Sequence, residues 1–188
     1  MALAAALVAA AALLPAQQPA TADYTQQPLV TERLYQHLRF EPDGTGRRDL
    51  HVRVRAQTEA GVQALGEITY PYNSAEETLD IDSVVVHKTG GATVTAGPDA
   101  VQDVTAPVAR VAPVYSDLRN KILTVPSLRP GDTLELHAAW LRRTPLSAGH
   151  FWYQEDFATQ AVVLDERFDL DVPRNTYVKV KSAPGVDP

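Results

Sequence analysis

Residues 115–136 read YSDLRNKILTVPSLRPGDTLEL, and this stretch sets the pattern for the rest of the chain. A polar turn leads into a short apolar strand, which stops at Pro126 because proline has no backbone N–H to give to a sheet. Gly131 then allows the positive φ of a tight reversal, and an alternating strand follows. We therefore predict a β-hairpin whose structural motif comprises Ser116, Asp117, Pro126, Gly131 and Asp132.

Segments that alternate apolar and polar residues dominate the sequence. In residues 134–140 the even positions are apolar while Glu135 and His137 occupy odd ones, and residues 162–172 alternate in a similar way. Further strands are predicted at residues 67–73, 78–87, 150–153 and 176–181, with one or two edge strands in the proline-rich residues 95–113. We predict an all-β, mainly antiparallel, sandwich-like domain with at most one short helix, at residues 58–65.

Residues 29–41 and 47–57 flank a strong turn signal, Pro-Asp-Gly-Thr-Gly. Their apolar residues fall at even positions in both segments, so a shared core face requires paired residues whose numbers have an even sum. This register places Leu38 opposite Leu50. On the other face it pairs Glu41 with Arg47, Arg39 with Asp49, and His37 with His51.

The N-terminal segment has the features of an export signal. Residues 1–14 are uncharged and apolar, and a run of small residues ending in Ala20-Thr21-Ala22 follows them. A membrane-spanning helix needs about 20 apolar residues, whereas a shorter run before an A-x-A site is typical of a secretory signal peptide. We expect a signal peptide at residues 1–22, an extracytoplasmic location (periplasmic or secreted), a β-rich domain at residues 23–181, and a linker toward a downstream domain at residues 182–188.

Composition excludes several classes of partner and chemistry. The chain has no cysteine, which rules out disulfides, cysteine-ligated metals and thiol nucleophiles. Its net charge is −6 and its longest basic runs are pairs, whereas nucleic-acid binding relies on clustered Lys and Arg. We expect no nucleic-acid partner, and no membrane association after signal cleavage.

The sequence alone does not assemble a catalytic or metal-binding site. The 5 histidines show neither HxH nor HExxH spacing, and for His37 and His51, which face each other in the register above, no third ligand can be placed. No G-x-S-x-G elbow is present, and Ser116-Asp117 is explained by turn chemistry. We expect no catalytic residue, no metal and no cofactor, and a hydrolase is not supported.

Phe151, Trp152 and Tyr153 form the strongest candidate for a partner or ligand surface. Strand alternation sends Trp152 to one face and Phe151 and Tyr153 to the other. Part of the trio therefore packs in the core, while the rest is available to a following domain, a peptide or a sugar ring.

A set of turn and aromatic residues resembles a known family. Ser116-Asp117 with Arg119, a strand ending at Pro126, Gly131-Asp132, Phe151-Trp152 and a strand closed by Pro173 follow one another in the order found in that family. It is the domain of unknown function that precedes the transglutaminase-like domain in many exported bacterial proteins. The resemblance covers residues 30–181.

This resemblance implies a β-rich accessory domain that is often followed by a domain with a Cys-His-Asp site. No residue of that chemistry can be carried over to this chain, which has no cysteine. The expected function is that of a non-catalytic N-terminal accessory domain that supports or positions a downstream catalytic domain in cis. The alternative is a stand-alone extracytoplasmic β module that binds glycans or peptides.

Overall fold

Two β-sheets stack face to face in the computed structural model, which describes residues 23–112, 114, 117–157, 161–174 and 176–182. The expected signal peptide, Ser116 and residues 183–188 of the expected linker lie outside the described residues. The strands are β1 (Leu29–Phe40), β2 (Gly46–Ala56), β3 (Glu67–Asn73), β4 (Glu77–His87), β5 (Thr93–Thr95), β6 (Val101–Thr105), β7 (Leu118–Thr124), β8 (Thr133–Arg142) and β9 (Glu166–Asp171). The helices are α1 (Glu59–Gly66) and the single turn α2 (Val108–Val111), with a 3-10 turn at Pro98–Ala100.

The larger sheet has the strand order β5-β4-β8-β2-β1-β9, and the smaller sheet has the order β3-β7-β6. Every neighbouring pair is antiparallel except β1 with β9. The prediction of an all-β, mainly antiparallel, sandwich-like domain is therefore confirmed. Among the described residues, none of the helices has the length and apolar character needed to cross a membrane.

The hydrophobic core lies between the two sheets. The larger sheet contributes the even-numbered residues of β8, among which Leu134 and Leu136 are fully buried, and the smaller sheet covers them with Leu123 of β7. Burying a leucine side chain stabilises the fold by about 1.5–3 kcal/mol, so these facing positions hold the sheets together. The alternation predicted for residues 134–140 is confirmed, because Glu135 and His137 lie on the opposite, solvent-accessible face.

Residues 115–136 do not form the predicted hairpin. β7 lies between β3 and β6 in the smaller sheet, whereas β8 lies between β4 and β2 in the larger one. The chain therefore crosses from one sheet to the other through residues 125–132. The turn chemistry is as predicted, since β7 ends before Pro126 and Gly131 has a φ of +90°. The hairpin prediction was wrong because such turn residues suit a crossing between sheets equally well.

Asp132 fastens this crossing to a neighbouring turn. Its buried carboxylate accepts hydrogen bonds from the backbone N–H groups of Arg129 (2.8 Å) and Thr89 (3.2 Å), and it pairs with Lys88 Nζ at 2.5 Å. Burial alone would raise the pKa of Asp132, but the Lys88 hydrogen bond, the backbone N–H donors and the Lys88 charge outweigh it and hold that pKa below its usual value. The crossing is thereby tied to the turn that follows β4.

The register of β1 and β2 has the predicted parity but a different offset. From residue 33 onward the paired numbers have an even sum, as for Leu38 opposite Arg48 and Phe40 opposite Gly46, and the apolar faces coincide. A bulge between Thr31 and Arg33 makes the sum odd for residues 29–31. Leu38 and Leu50 are on the same face without being direct partners. The offset arises because the loop closes at residues 41–45, where the N–H of Glu41 donates to the carbonyl of Thr45, and Gly46 already belongs to β2.

The same offset changes the charged face of this strand pair. Arg39 lies opposite Arg47, and His37 lies opposite Asp49. The predicted pairings of Glu41 with Arg47, Arg39 with Asp49, and His37 with His51 are therefore wrong. Arg47 instead contacts Asp49 on its own strand at 2.6 Å.

A β-bulge at Asp82 shifts the face of β4. Before it, Leu79 lies opposite Trp140 and Ile81 opposite Ala138; after it, the partner of Leu136 is Val84. The core positions of β4 thus change from odd to even numbers, since Leu79 and Val84 are both buried. This explains why the apolar pattern of residues 78–87 loses its strict alternation halfway.

The last third of the chain departs from the predicted strands. The structure has no strand at residues 150–153 or 176–181, and β9 covers only part of the alternating residues 162–172. Phe151 and Tyr153 instead pack against the inner face of the larger sheet, where Phe151 stacks on Phe40 and Arg48 donates a hydrogen bond to the Tyr153 hydroxyl. The predicted edge strand in residues 95–113 is confirmed as β6, and the predicted helix is confirmed as α1.

We expect Gly61→Ala to destabilise the protein. Thr58 caps α1 by accepting a hydrogen bond from the Gly61 N–H at 3.2 Å, and a Cβ atom at position 61 would lie 2.1 Å from the carbonyl oxygen of Pro28. Alanine favours a helix over glycine by about 1 kcal/mol, but displacing backbone in a packed site costs about 1–3 kcal/mol. The expected net loss is therefore up to about 2 kcal/mol in urea unfolding.

Gly66→Ala is the matched control for this change. Gly66 is also in α1, but a Cβ atom there would have no neighbour within 4 Å. Its unfolding free energy should be unchanged or slightly higher than that of the parent. Equal changes in unfolding free energy for Gly61→Ala and Gly66→Ala would show that the contact with Pro28 does not destabilise Gly61→Ala.

Candidate functional site

The outer face of the larger sheet, which points away from the smaller sheet, is polar and rich in histidine. Odd-numbered residues of β2 and β8 form its centre, and the register places His51 opposite His137 and Arg53 opposite Glu135. Because β8 lies between β2 and β4, Glu135 is also reached by His87 of β4. Three strands that are distant in sequence thus bring these side chains together.

Glu135 is the centre of this cluster. Its Oε1 lies 2.9 Å from His51 Nε2, and its Oε2 lies 2.7 Å from His87 Nε2 and 3.2 Å from Arg53 Nη1. His137 Nε2 is further away, at 3.8 Å from Oε1, and its ring stacks on that of His51 with 3.9 Å between centroids. Three imidazoles therefore surround one carboxylate.

The electrostatics of the cluster favour an ionised Glu135. Partial burial by itself would raise the pKa of Glu135, but hydrogen bonds from His51 and His87 and the charge of Arg53 outweigh it, so that pKa lies below its usual value. The carboxylate is therefore available as an anionic ligand or hydrogen-bond acceptor at neutral pH.

A groove of about 540 Å³ opens beside the cluster and is lined by His51 and His137. Four carboxylates also line it, those of Asp49, Asp82, Asp169 and Asp171, against a single arginine, Arg167. The predicted contact of His37 with His51 does not form, since His37 Nε2 binds Asp171 of β9 at 2.8 Å. The groove is therefore predominantly acidic.

The aromatic run lies on the opposite side of the larger sheet. Phe151 stacks on Phe40 at 4.2 Å and Tyr153 stacks on Phe168 at 5.5 Å, whereas Trp152 is 69% exposed. Arg48 also donates a hydrogen bond to the Tyr153 hydroxyl at 3.3 Å. Trp152 is thus the exposed member of the three, although it borders the same groove as Tyr153.

The predicted turn motif is divided between two places. The Asp117 carbonyl accepts hydrogen bonds from the N–H and hydroxyl of Ser74, next to β3 and β7, while Pro126, Gly131 and Asp132 belong to the crossing between sheets. Asp132 lies near the histidine cluster, because its partners Lys88 and Thr89 directly follow His87 in sequence.

Sequence reasoning missed the cluster because it sought a third ligand only for His37 and His51. Glu135 and His137 stand two positions apart on a predicted strand, which places both on one face. That E-x-H spacing was the available signal. The strand order that brings His51 and His87 to either side of it was not predicted.

Comparison with known proteins places the chain in a family. Residues 42–188 match the model of a family described as a domain of unknown function with a solved structure, DUF3857. A search of curated proteins gave no match.

Solved structures are similar to part of the chain, and one of them is similar enough to share its fold. A protein from Parabacteroides distasonis, described as a "putative protease", has 20% sequence identity and a TM-score of 0.59, covering 62% of this chain and 23% of its own. A CBM3a-L domain from a Clostridium thermocellum scaffoldin has 13% identity and a TM-score of 0.38, covering 70% and 79%. An M1 zinc metallopeptidase from Deinococcus radiodurans has 18% identity and a TM-score of 0.33, covering 62% and 21%. The chain thus spans less than a quarter of the first of these proteins.

Proposed function

The chain belongs to the DUF3857 family of domains of unknown function, and we propose that it is the non-catalytic accessory domain of an exported bacterial protein, where it supports or positions a transglutaminase-like catalytic domain in cis. The observation that carries this proposal is the exposure of Trp152 within an anchored segment. Phe151 and Tyr153 fix the backbone on either side of it by ring stacking. Tryptophan is enriched in protein interfaces, so an indole that is 69% exposed between two anchored neighbours supports a surface that another domain covers.

The organisation of a similar structure supports a role within a longer chain. The protein from Parabacteroides distasonis contains this fold as 23% of its length. The apolar residues 1–14 followed by Ala20-Thr21-Ala22 support export. Since this chain has no cysteine, the nucleophile of a transglutaminase-like site has to come from another domain.

The test compares Trp152→Ala with Trp152→Phe in the full-length protein. If the downstream domain covers this surface, Trp152→Ala should uncouple the two domains, because it removes the apolar contact. The phenylalanine variant, which keeps an aromatic ring, should stay close to the parent. For Trp152→Ala, calorimetry should show the single or coupled unfolding transition of the parent splitting into two. The rate of hydrogen exchange at the backbone amides of residues 151–157 should rise to its value in the isolated domain. Identical exchange in the isolated and full-length proteins would contradict the proposal.

A stand-alone glycan- or peptide-binding module is the second candidate. Trp152 borders a groove of about 160 Å³ that Arg48 and Trp140 also line. This is below the range of about 300–1,000 Å³ usual for small-molecule sites, although a sugar ring stacked on Trp152 needs no deep pocket. Titration of the isolated domain with cello- and chito-oligosaccharides, followed by tryptophan fluorescence, distinguishes the two. A saturable change that Trp152→Ala abolishes would favour the binding module.

A further inference from the structure

We propose that His51, Glu135 and His137 form a binding site for one divalent transition-metal ion of the zinc class. The site lies on the outer face of the larger sheet, away from Trp152, and is independent of the function proposed above. One ligand atom from each of the three residues lies within 4.8 Å of the other two. His51 comes from β2, and the other two ligands come from β8.

The spacing of the three atoms suits a metal of this size. Zinc binds imidazole nitrogen at about 2.0–2.1 Å, so two ligands of a tetrahedral ion are about 3.3 Å apart. The observed separations from Glu135 Oε1 are 2.9 Å to His51 Nε2 and 3.8 Å to His137 Nε2. These two values lie on either side of the required distance, and the two imidazole nitrogens lie within 4.8 Å of each other. Closing the site therefore requires the side-chain ends to rotate toward the ion.

Hydrogen bonding alone does not account for the arrangement. His51 and His87 each have a hydrogen-bond contact with Glu135, at 2.9 Å and 2.7 Å. His137 has none, because 3.8 Å is too long for a hydrogen bond. Its ring nevertheless stacks on that of His51, and its Nε2 lies near the same carboxylate oxygen. A metal ion bound by the three atoms accounts for the position of His137, because His137 is then a ligand of the ion.

The donor set selects the class of ion. Calcium and magnesium prefer oxygen ligands, whereas two imidazoles with one carboxylate suit zinc, and also nickel and copper. Three protein ligands leave one tetrahedral position open, and the groove lined by His51 and His137 gives water or a small anion access to it. His87 and Arg53 contact the second oxygen of Glu135, which orients the carboxylate.

Charge near the site favours a cation in spite of Arg53. The guanidinium lies 3.2 Å from Glu135 Oε2, which opposes a second positive charge, but its Nε is paired with Glu32 at 2.7 Å. The adjoining groove carries four carboxylates against a single arginine. The three ligand side chains are 22–43% exposed, so an ion reaches them without opening of the fold.

The experiment uses the full chain without an affinity tag, titrated with zinc chloride by calorimetry, with bound metal counted by elemental analysis after dialysis. We expect one ion per chain. Removing a ligand should weaken zinc binding at least as much as removing a residue that only hydrogen-bonds to a ligand, and the latter change lowers metal affinity about 10–100-fold. We therefore expect a loss of this size or greater in His137→Ala and in Glu135→Gln. His137 is 43% exposed, so its replacement should leave the fold intact, which circular dichroism checks.

His150→Ala is the matched control, because His150 lies in the loop after β8 and the one hydrogen bond described for its side chain is to the Ala148 carbonyl. Its affinity for zinc should equal that of the parent. Melting temperature gives a second measurement, since zinc should raise it in the parent and the control but not in His137→Ala. Absence of stoichiometric zinc, or binding that survives both ligand substitutions, would overturn the proposal. A loss of zinc affinity in His150→Ala equal to that in the ligand variants would also overturn it.

Discussion

Replacing Trp140 with alanine is expected to cost about 3–5 kcal/mol of unfolding free energy. Trp140 is 6% exposed in the core between the sheets, where Tyr70 meets its ring edge-on at 5.7 Å. The Arg48 guanidinium covers its face at 3.8 Å from the centroid. Removal of the indole leaves a cavity, an unpaired aromatic partner and an arginine without its cation–π contact, and these losses add to one another.

Trp152→Ala is the matched control, since the chain contains only these 2 tryptophans. Because Trp152 is 69% exposed, its loss should change the stability of the isolated domain by less than about 0.5 kcal/mol. Urea unfolding followed by circular dichroism measures both variants. Burial raises the pKa of Tyr70 to about 12, so Trp140→Ala should also lower that pKa, as ultraviolet titration of tyrosine would show. Similar stabilities for the two variants would contradict the assignment of Trp140 to the core.

Much of the fold follows from side-chain alternation. Burial of one face of a sheet fixes whether the numbers of paired residues have an even or an odd sum, because a shift of one strand by one residue would place its polar groups in the core. The even-sum pairing of β2 with residues 33–40 of β1 and the inward positions of Leu134 and Leu136 were therefore predictable, whereas the bulge between Thr31 and Arg33 was not. The exact offset was not, since a shift by two residues preserves the faces and depends only on where the loop at residues 41–45 closes.

The crossing between the two sheets and the bulge in β4 could not be predicted from the sequence, for physical reasons. The turn residues around Pro126 and Gly131 reverse the chain in either a hairpin or a crossing between sheets, and the choice is made by packing against distant strands. The length of the connection, residues 125–132, was a usable signal, because hairpin loops commonly have about two to five residues. The bulge at Asp82 was visible only as a loss of alternation, which also fits a strand covered on both faces.

The histidine cluster illustrates the same limit for function. The E-x-H spacing of Glu135 and His137 places both on one face of a strand, which local sequence determines. That His51 and His87 flank them follows from the order β4-β8-β2, which is set by the whole topology. Candidate sites within one strand were therefore predictable, and sites shared by several strands were not.

Asp132→Ala is expected to cost about 2–4 kcal/mol, less than the 3–5 kcal/mol typical of breaking a fully buried ion pair. The difference arises because Lys88, with a 20% exposed side chain, can turn toward solvent, whereas the Asp132 carboxylate is 3% exposed. The backbone N–H groups of Thr89 and Arg129 lose their acceptor in the variant. Urea unfolding at neutral pH measures this cost. Asp132→Asn should be milder, because the amide oxygen still accepts one of these hydrogen bonds.

Acid should reduce the difference between the parent and Asp132→Asn. The folded-state pKa of Asp132 lies below its usual value, so the stability that its charge supplies is complete above the ordinary carboxyl pKa of about 3.9 and is lost as the pH falls through the lower, folded-state value. The difference in unfolding free energy between the two proteins should therefore be largest at pH 7 and should shrink at pH 3 and below, since asparagine does not titrate. A difference that stays constant over this range would show that hydrogen-bond geometry, and not the charge paired with Lys88, is what Asp132 contributes to the crossing between the sheets.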